Sequence, residues 1–294
     1  MKNLHYPVMN KEVLSIFSKT DKDIFVDCTV GMGGHTSKLM KEFPGSSVAA
    51  IDMDRESLEM AKKNLKEFGE RVSFYEMEFT DLFEQASLPW KRVSGILVDP
   101  GLSIYQLKNE ERGFSFSEDS ELDMRKSKDL EISAHTVINR FKENELTDIF
   151  VKFGELKKAP QFSKRIIERR LFKSIDTTGI LRKIVEDFYG WRPKRGKTHP
   201  AAKVFQALRI FVNKELEGIE LFLKKAPEML SSGARIIFLT FHSVEDRLIK
   251  TIFREMKGSE KVKIIKPFPM KPAEEEIKVN NPSRSAKLRA VEIV

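Results

Sequence analysis

The residues Asp27-Cys28-Thr29-Val30-Gly31-Met32-Gly33-Gly34-His35 join a short apolar run to a helical pattern. Before them, Ile24-Phe25-Val26 has the character of a buried parallel strand. After them, Thr36 to Phe43 sets Leu39, Met40 and Phe43 at helical spacing. The order is strand, glycine turn, helix. Glycines in such a turn let the backbone approach a ligand, and the N–H groups that open the helix point at it. The next apolar run, Val48 to Ile51, ends in Asp52. A carboxylate at the tip of the second strand is where doubly wound folds hold a ribose hydroxyl pair. A nucleoside-cofactor site is therefore expected, with a purely structural tight turn as the alternative for the glycines alone.

Working outward, Asp54 to Phe68 reads as a helix and Val72 to Tyr75 as a third strand, followed by Phe79 and Asp81. Ile96-Leu97-Val98 is a fourth strand, ending in Asp99-Pro100-Gly101. Three βα units over so short a span predict a doubly wound α/β domain. The pattern then changes. From about Gln106 to Lys203 there are only helical candidates, at Ile132–Arg140, Glu143–Phe153, Phe162–Phe172 and Thr178–Tyr189. The sheet pattern resumes with a long helix over Val204–Leu230 and a fifth strand at Arg235–Thr240. Ser243-Val244-Glu245-Asp246 has the form of a capping box opening a helix to about Met256. Strands at Val262–Ile265 and Leu288–Val294 complete the reading. The expected organisation is a doubly wound domain of residues 1–105 and 204–294 with a helical domain, 106–203, inserted after strand four.

Composition narrows the function. The chain has 294 residues, 40% of them apolar, enough for one large core or two smaller ones. No apolar run approaches the roughly 18 residues of a membrane helix, and Met1 to Pro7 lacks a signal-peptide core, so a cytoplasmic protein is expected. Cys28, the single cysteine, excludes an internal disulfide and a cysteine-based zinc site. The histidines (His5, His35, His135, His199, His242) lack metal-ligand spacing, and no metal is expected. The net charge of +8 is concentrated. Residues 152–203 hold 15 Lys and Arg against 5 Asp and Glu, a net of +10, while residues 107–151 are net −4. Arg165, Arg169, Arg170 and Lys173 suit a solvated helix face as well as RNA. The loop Trp191-Arg192-Pro193-Lys194-Arg195-Gly196-Lys197 better suits phosphate and base contacts.

Six motifs occur in one order: Gly31-Met32-Gly33-Gly34-His35, Arg112-Gly113-Phe114-Ser115-Phe116, Leu122-Asp123-Met124-Arg125, Phe205-Gln206-Ala207-Leu208-Arg209-Ile210, Phe241-His242-Ser243-Val244-Glu245-Asp246-Arg247 and Asn281-Pro282-Ser283-Arg284-Ser285-Ala286-Lys287-Leu288-Arg289. Together they closely resemble the bacterial small-subunit (16S) ribosomal RNA cytosine-N4 methyltransferases, the RsmH/MraW family, over nearly the whole chain. The resemblance implies a class I S-adenosylmethionine-dependent methyltransferase sheet, Rossmann-like and doubly wound, with a helical domain inserted after strand four. It implies a decoding-centre cytidine of 16S ribosomal RNA as target and the small ribosomal subunit as partner. By position, the cofactor contacts fall on Gly33, Gly34, His35, Asp52, Phe79, Asp99 and Gln106. Asp52 would take the ribose hydroxyls and Phe79 would lie by the adenine. The family reads Asp-Leu-Gly-Val-Ser-Ser before the glutamine, whereas here Asp99-Pro100-Gly101-Leu102-Ser103-Ile104-Tyr105 precedes Gln106. Tyr105 is a candidate for stacking on the base.

Asp99 is the catalytic candidate, either accepting the N–H of the target amine or holding the methionine end of the cofactor. His242 and Glu245 could reach the same edge, while Ser243 and Asp246 are expected to cap a helix. Arg125 and Arg209 suit either RNA phosphates or buried carboxylates. Two other functions share some of these features. A nicotinamide dehydrogenase has the same turn and acid, but Thr36 stands at the third glycine of Gly-x-Gly-x-x-Gly. A non-catalytic ribosome-binding factor would explain the basic insert, but not the Gly31–His35 turn paired with Asp52.

Overall fold

Short runs buried on both faces form the sheet. The computed structural model describes residues 7–20, 23–85, 87–100, 112–193 and 198–294. They divide into two compact units, Met1–Gly101 with Leu216–Val294, and Leu102–Glu215. The first contains seven strands, β1 Ile24–Asp27, β2 Ser47–Asp52, β3 Val72–Glu76, β4 Val93–Val98, β5 Arg235–Thr240, β6 Val262–Met270 and β7 Lys287–Ile293. Their order is β3-β2-β1-β4-β5-β7-β6. The pairings from β3 to β5 are parallel, while β7 is antiparallel to both β5 and β6. Because β1 lies between β2 and β4, the chain winds outward in both directions from there. A ligand crevice opens at such a switch point, beyond the carboxyl ends of the strands.

Alternation along each strand divides the core into two layers. Val26, Ile51, Ile96, Val98, Ile236 and Phe238 share a cluster with Phe222 and Leu223 of α10 (Glu215–Met229) and Phe253 of α11 (Ser243–Gly258). Phe25, Val48, Ala50, Leu97, Ile237 and Leu239 pack instead with helices α1 (Asn10–Phe17), α2 (Gly34–Glu42) and α3 (Arg55–Asn64). Gly95 in β4 is needed for close packing. A Cβ there would lie 2.5 Å from the Phe17 ring. The small helices α4 (Leu82–Gln85) and α12 (Glu274–Val279) complete this unit.

In the second unit, the described helices are α5 Ala134–Arg140, α6 Glu143–Lys152, α7 Ala159–Arg170, α8 Thr178–Tyr189 and α9 Ala201–Val212. Ser133 and Thr177 cap α5 and α8, each side chain accepting a backbone N–H three residues on. Phe150, Phe162, Phe188 and Tyr189 form its aromatic centre. Glu121 and Thr177 form an isolated β-bridge, and no named strand occurs here among the described residues.

Two sequence expectations need correction. The helix expected over Val204–Leu230 is broken into α9 and α10 at Asn213-Lys214. Lys214 is left-handed, at φ 49°. The Asn213 carboxamide oxygen accepts the Lys126 N–H at 2.7 Å, and its amide donates to the Met124 and Arg209 carbonyls, both at 2.8 Å. The bonds to Met124 and Lys126, a segment distant in the chain, stabilise the break. The compact helical unit runs to Glu215 and so includes α9. The second correction concerns α11, which is capped by His242 rather than Ser243. The His242 imidazole Nδ1 accepts the Glu245 N–H at 3.3 Å. No helix among the described residues is long and apolar enough to cross a membrane.

Candidate cofactor and catalytic site

Three carboxylates stand at the carboxyl ends of neighbouring strands. Asp27 closes β1 and is buried. It accepts the Thr36 hydroxyl at 2.7 Å and the Thr29 N–H at 3.3 Å, so it ties the strand end to the first turn of α2. Asp52 closes β2. One of its oxygens accepts the Gly31 N–H and the other the Asp54 N–H, each at 2.9 Å. Asp99 follows β4, and its N–H donates to the Thr29 hydroxyl at 2.8 Å. Thr29 therefore locks the glycine turn to the end of β4.

The turn adopts the conformation its glycines allow. Gly31 and Gly33 have φ of 51° and 87°, and the Gly33 N–H donates to the Val30 carbonyl at 2.7 Å. A Cβ on Gly33 would lie 2.9 Å from the Leu65 side chain, so this position is restricted twice over. Gly34 begins α2, and the buried His35 sits in its first turn. The His35 Nε2 lies 3.8 Å from an Asp99 carboxylate oxygen. The Phe79 side chain is buried edge-on to Phe222, with ring centroids 5.5 Å apart. Gly33, Gly34, His35, Asp52 and Asp99 thus surround the switch point. Gln106 and Tyr105 lie outside the described residues, as do Lys194, Arg195 and Lys197 of the basic loop.

Crowding perturbs these acids. Burial, reinforced by the charge of Asp52 and opposed by the Thr36 hydroxyl and backbone donors, raises the Asp27 pKa to about 6. Burial and the charge of Asp27 raise that of Asp99 to about 7. Such a site favours a cation, which would relieve the repulsion among its carboxylates. Each Asp52 oxygen accepts a backbone N–H through the bonds above, and an ionised carboxylate is an acceptor-only group suited to hydroxyl donors. A cationic nucleoside carrying a free ribose diol fits this donor set.

The other candidates are engaged elsewhere. His242 caps α11, and its Nε2 lies 3.7 Å from Glu245. Asp246, expected to cap the helix, instead accepts Lys287 and Arg289 across to β7. Arg125 binds Asp123 through two nitrogens, and Arg209 pairs with Glu215 at 3.0 Å, so both take the carboxylate role. Sequence reading did not single out Thr29, Thr36 and Asp27 as site residues. The signal was present as two hydroxyls, two and nine residues beyond a strand-ending acid.

The doubly wound sheet and its acid-rimmed glycine turn define an α/β protein whose β1/β4 switch point has the chemistry of a nucleoside-cofactor site. More narrowly, the chain belongs to the MraW methylase family, which it matches over residues 2–294. It is 41% identical over 293 residues to the ribosomal RNA small subunit methyltransferase H of Thermotoga neapolitana, covering 99% of this chain and 96% of that one. The corresponding protein of Thermosipho melanesiensis is 44% identical over 290 residues, covering 98% and 97%, and that of Persephonella marina 43% over 286 residues, covering 97% of each. The enzyme is a methyltransferase of that family, with S-adenosylmethionine as cofactor. The family excludes the dehydrogenase reading.

Proposed function

We propose that the enzyme methylates the exocyclic N4 amine of a decoding-centre cytidine in 16S ribosomal RNA, acting in the cytoplasm on the RNA of the small ribosomal subunit. The observation that carries this reading is the family match over residues 2–294, with Asp99 held at the switch point by its backbone bond to the Thr29 hydroxyl. The relatives' name and the family motifs support the RNA target.

Gly33, Gly34, His35, Asp52, Phe79, Asp99 and Gln106 would hold the cofactor, with Asp52 on the ribose hydroxyls and Phe79 at the adenine end. The cofactor supplies an electrophilic methyl group on a sulfonium. Cytosine N4 is a weak nucleophile because its lone pair is delocalised into the ring. Asp99, as a carboxylate, accepts an N–H of that amine, returns electron density to nitrogen and takes the proton as the new bond forms. The carboxylates at the strand tips also favour the positive charge present before transfer. The helical unit, which carries the basic excess, is the substrate-recognition domain in this reading.

Two experiments test separate parts of this assignment. Asp52→Ala should weaken S-adenosylmethionine binding at least about tenfold by calorimetry and leave the circular dichroism spectrum intact, since charge-assisted bonds contribute roughly 1.5–3 kcal/mol each. Unchanged affinity would remove Asp52 from the ribose. The second concerns the methylated atom. Carbon-5 methylation generally begins with a cysteine thiolate adding to carbon-6. Cys28 is buried, and burial together with Asp27 pushes its thiol pKa well above the usual value. Cys28→Ala should keep most of its activity, and mass spectrometry of digested RNA should show N4-methylcytidine. A 5-methylcytidine product, or complete inactivity of a folded Cys28→Ala enzyme, would overturn the N4 reading.

A further inference from the structure

The carboxyl end of α7 presents Leu171 and Phe172 at 79% and 87% exposure, among the most open apolar side chains of the described residues. They lie in a strongly basic segment. Residues 164–173 contain Lys164, Arg165, Arg169, Arg170 and Lys173 against a single acid, Glu168. The turn beneath them is firmly held. Arg170 donates to the Ile138 carbonyl at 2.7 Å. The Asn139 carboxamide bonds both the N–H and the carbonyl of buried Ile175, at 2.9 and 3.0 Å. The N–H groups of Phe172 and Lys173 both return to the Arg169 carbonyl. An aromatic ring is therefore held out into solvent on an anchored turn.

The cations around it differ in availability. Arg165 makes a 3.9 Å pair with Glu168, and Arg170 serves the anchor. Arg169 and Lys173 form no ion pair among the described residues, although Lys173 acts on the nearby Asp176 carboxylate through its charge. Arg169 also lines a hollow of about 420 Å³ with Arg182 and Lys183. There Lys183 pairs with Asp187, Arg182 bonds the Phe116 carbonyl, and Asp119 accepts the Gly179 N–H. Arg169 is thus the cation of that hollow left for a ligand.

We propose that the Leu171-Phe172 tip docks the ribosomal RNA, Phe172 stacking on an unpaired base while Arg169 and Lys173 hold the flanking phosphates. An exposed aromatic between cations matches a single strand, which offers a π-face and a phosphate at every nucleotide. A second copy of this chain suits the tip poorly, because a two-fold contact would oppose two copies of the same positive cluster. The inference rests on the RNA-methylating reading above and names the surface through which that substrate binds.

The test uses the full-length enzyme, 16S ribosomal RNA transcript and radiolabelled cofactor. Phe172→Ala should raise the KM for RNA about tenfold, the scale of one lost base stack. Its kcat at saturating RNA, its cofactor affinity and the salt dependence of RNA binding should match wild type. Phe172→Trp should restore the KM, whereas Phe172→Leu, apolar without a ring, should not. Arg169→Ala with Lys173→Ala should instead flatten the log–log salt slope by about 1.5. A wild-type KM in Phe172→Ala, while the parent enzyme methylates the RNA, overturns this inference alone. So does a Phe172→Ala effect confined to sedimentation, or to binding of anionic phospholipid vesicles. Failure of the parent to methylate any RNA overturns the functional reading and this inference with it.

Discussion

Asp99→Asn is expected to reduce kcat about 10²- to 10⁴-fold while cofactor affinity changes by less than about tenfold, the range over which a positioned acid–base group acts. Asparagine preserves the shape and the backbone N–H bond to Thr29, but its carboxamide cannot take the amine proton. The pH dependence follows from the shifted acid. A base must be deprotonated to act, and the Asp99 pKa is raised to about 7 by burial and by Asp27. At subsaturating cofactor, kcat/KM should rise through a midpoint near that pH and level off above it. Because Asp27 titrates nearby, the limb belongs to the coupled pair. A bound cation should move it to lower pH, so the kcat profile should rise earlier. Rapid-quench single-turnover assays separate chemistry from product release. A variant with near-wild-type single-turnover rate would leave Asp99 a cofactor ligand only.

Asp246→Ala should destabilise the sheet unit by about 3–5 kcal/mol, the usual cost of leaving a buried charge unpaired. Asp246 is 7% exposed and Arg289 3%. Its carboxylate accepts Arg289 at 2.8 and 3.2 Å and Lys287 at 2.8 Å. Arg289 also lies over the Phe268 ring, 4.4 Å from its centroid. Without Asp246 the guanidinium stays buried against an aromatic face with its main counter-charge gone. A fall in Tm of about 10 °C is expected by calorimetry at neutral pH. The sign of the pH effect is fixed. Burial acts to raise the Asp246 pKa, but Arg289 and Lys287 outweigh it and hold it below the usual carboxylate value. The stabilisation is therefore present above the unfolded pKa and lost as pH falls through the lowered one. The gap between parent and variant should narrow in acid. A Tm within about 2 °C of the parent at neutral pH would show that the network contributes little.

Much of this architecture is legible from the chain. Strands β1, β2, β4 and β5 are continuous apolar runs because both faces are covered, and the glycine turn with Asp52 marks the switch point. What escaped sequence reading depends on partners far away in the chain. The phase of apolar residues passes through Asn213 unchanged, and only the Met124–Lys126 segment makes a break there favourable. His242 is a poor capping residue by type, so Ser243 is the natural sequence choice. Asp246 has the composition of a helix cap, but β7 brings two cations to it, and a pairing across forty residues leaves no periodic trace. Asp27 is visible as a strand-ending acid, but its enclosure by Thr29 and Thr36 is a tertiary fact.

The β4–β5 pairing also sets a timetable for biosynthesis. Gly95 pairs with Arg235, and the whole helical unit is encoded between them. At about 5–20 residues per second, β4 emerges on the order of ten seconds before the strand that will cover its edge. All six of its residues are buried in the finished sheet. The nascent chain therefore carries an apolar, half-paired strand throughout synthesis of the insert, whose helices can form from local contacts meanwhile. Because β7 lies between β5 and β6, the sheet is completed only when its last strand arrives. The inserted helical unit thus imposes a waiting period on the fold, during which an exposed apolar strand is the natural target of nascent-chain chaperones.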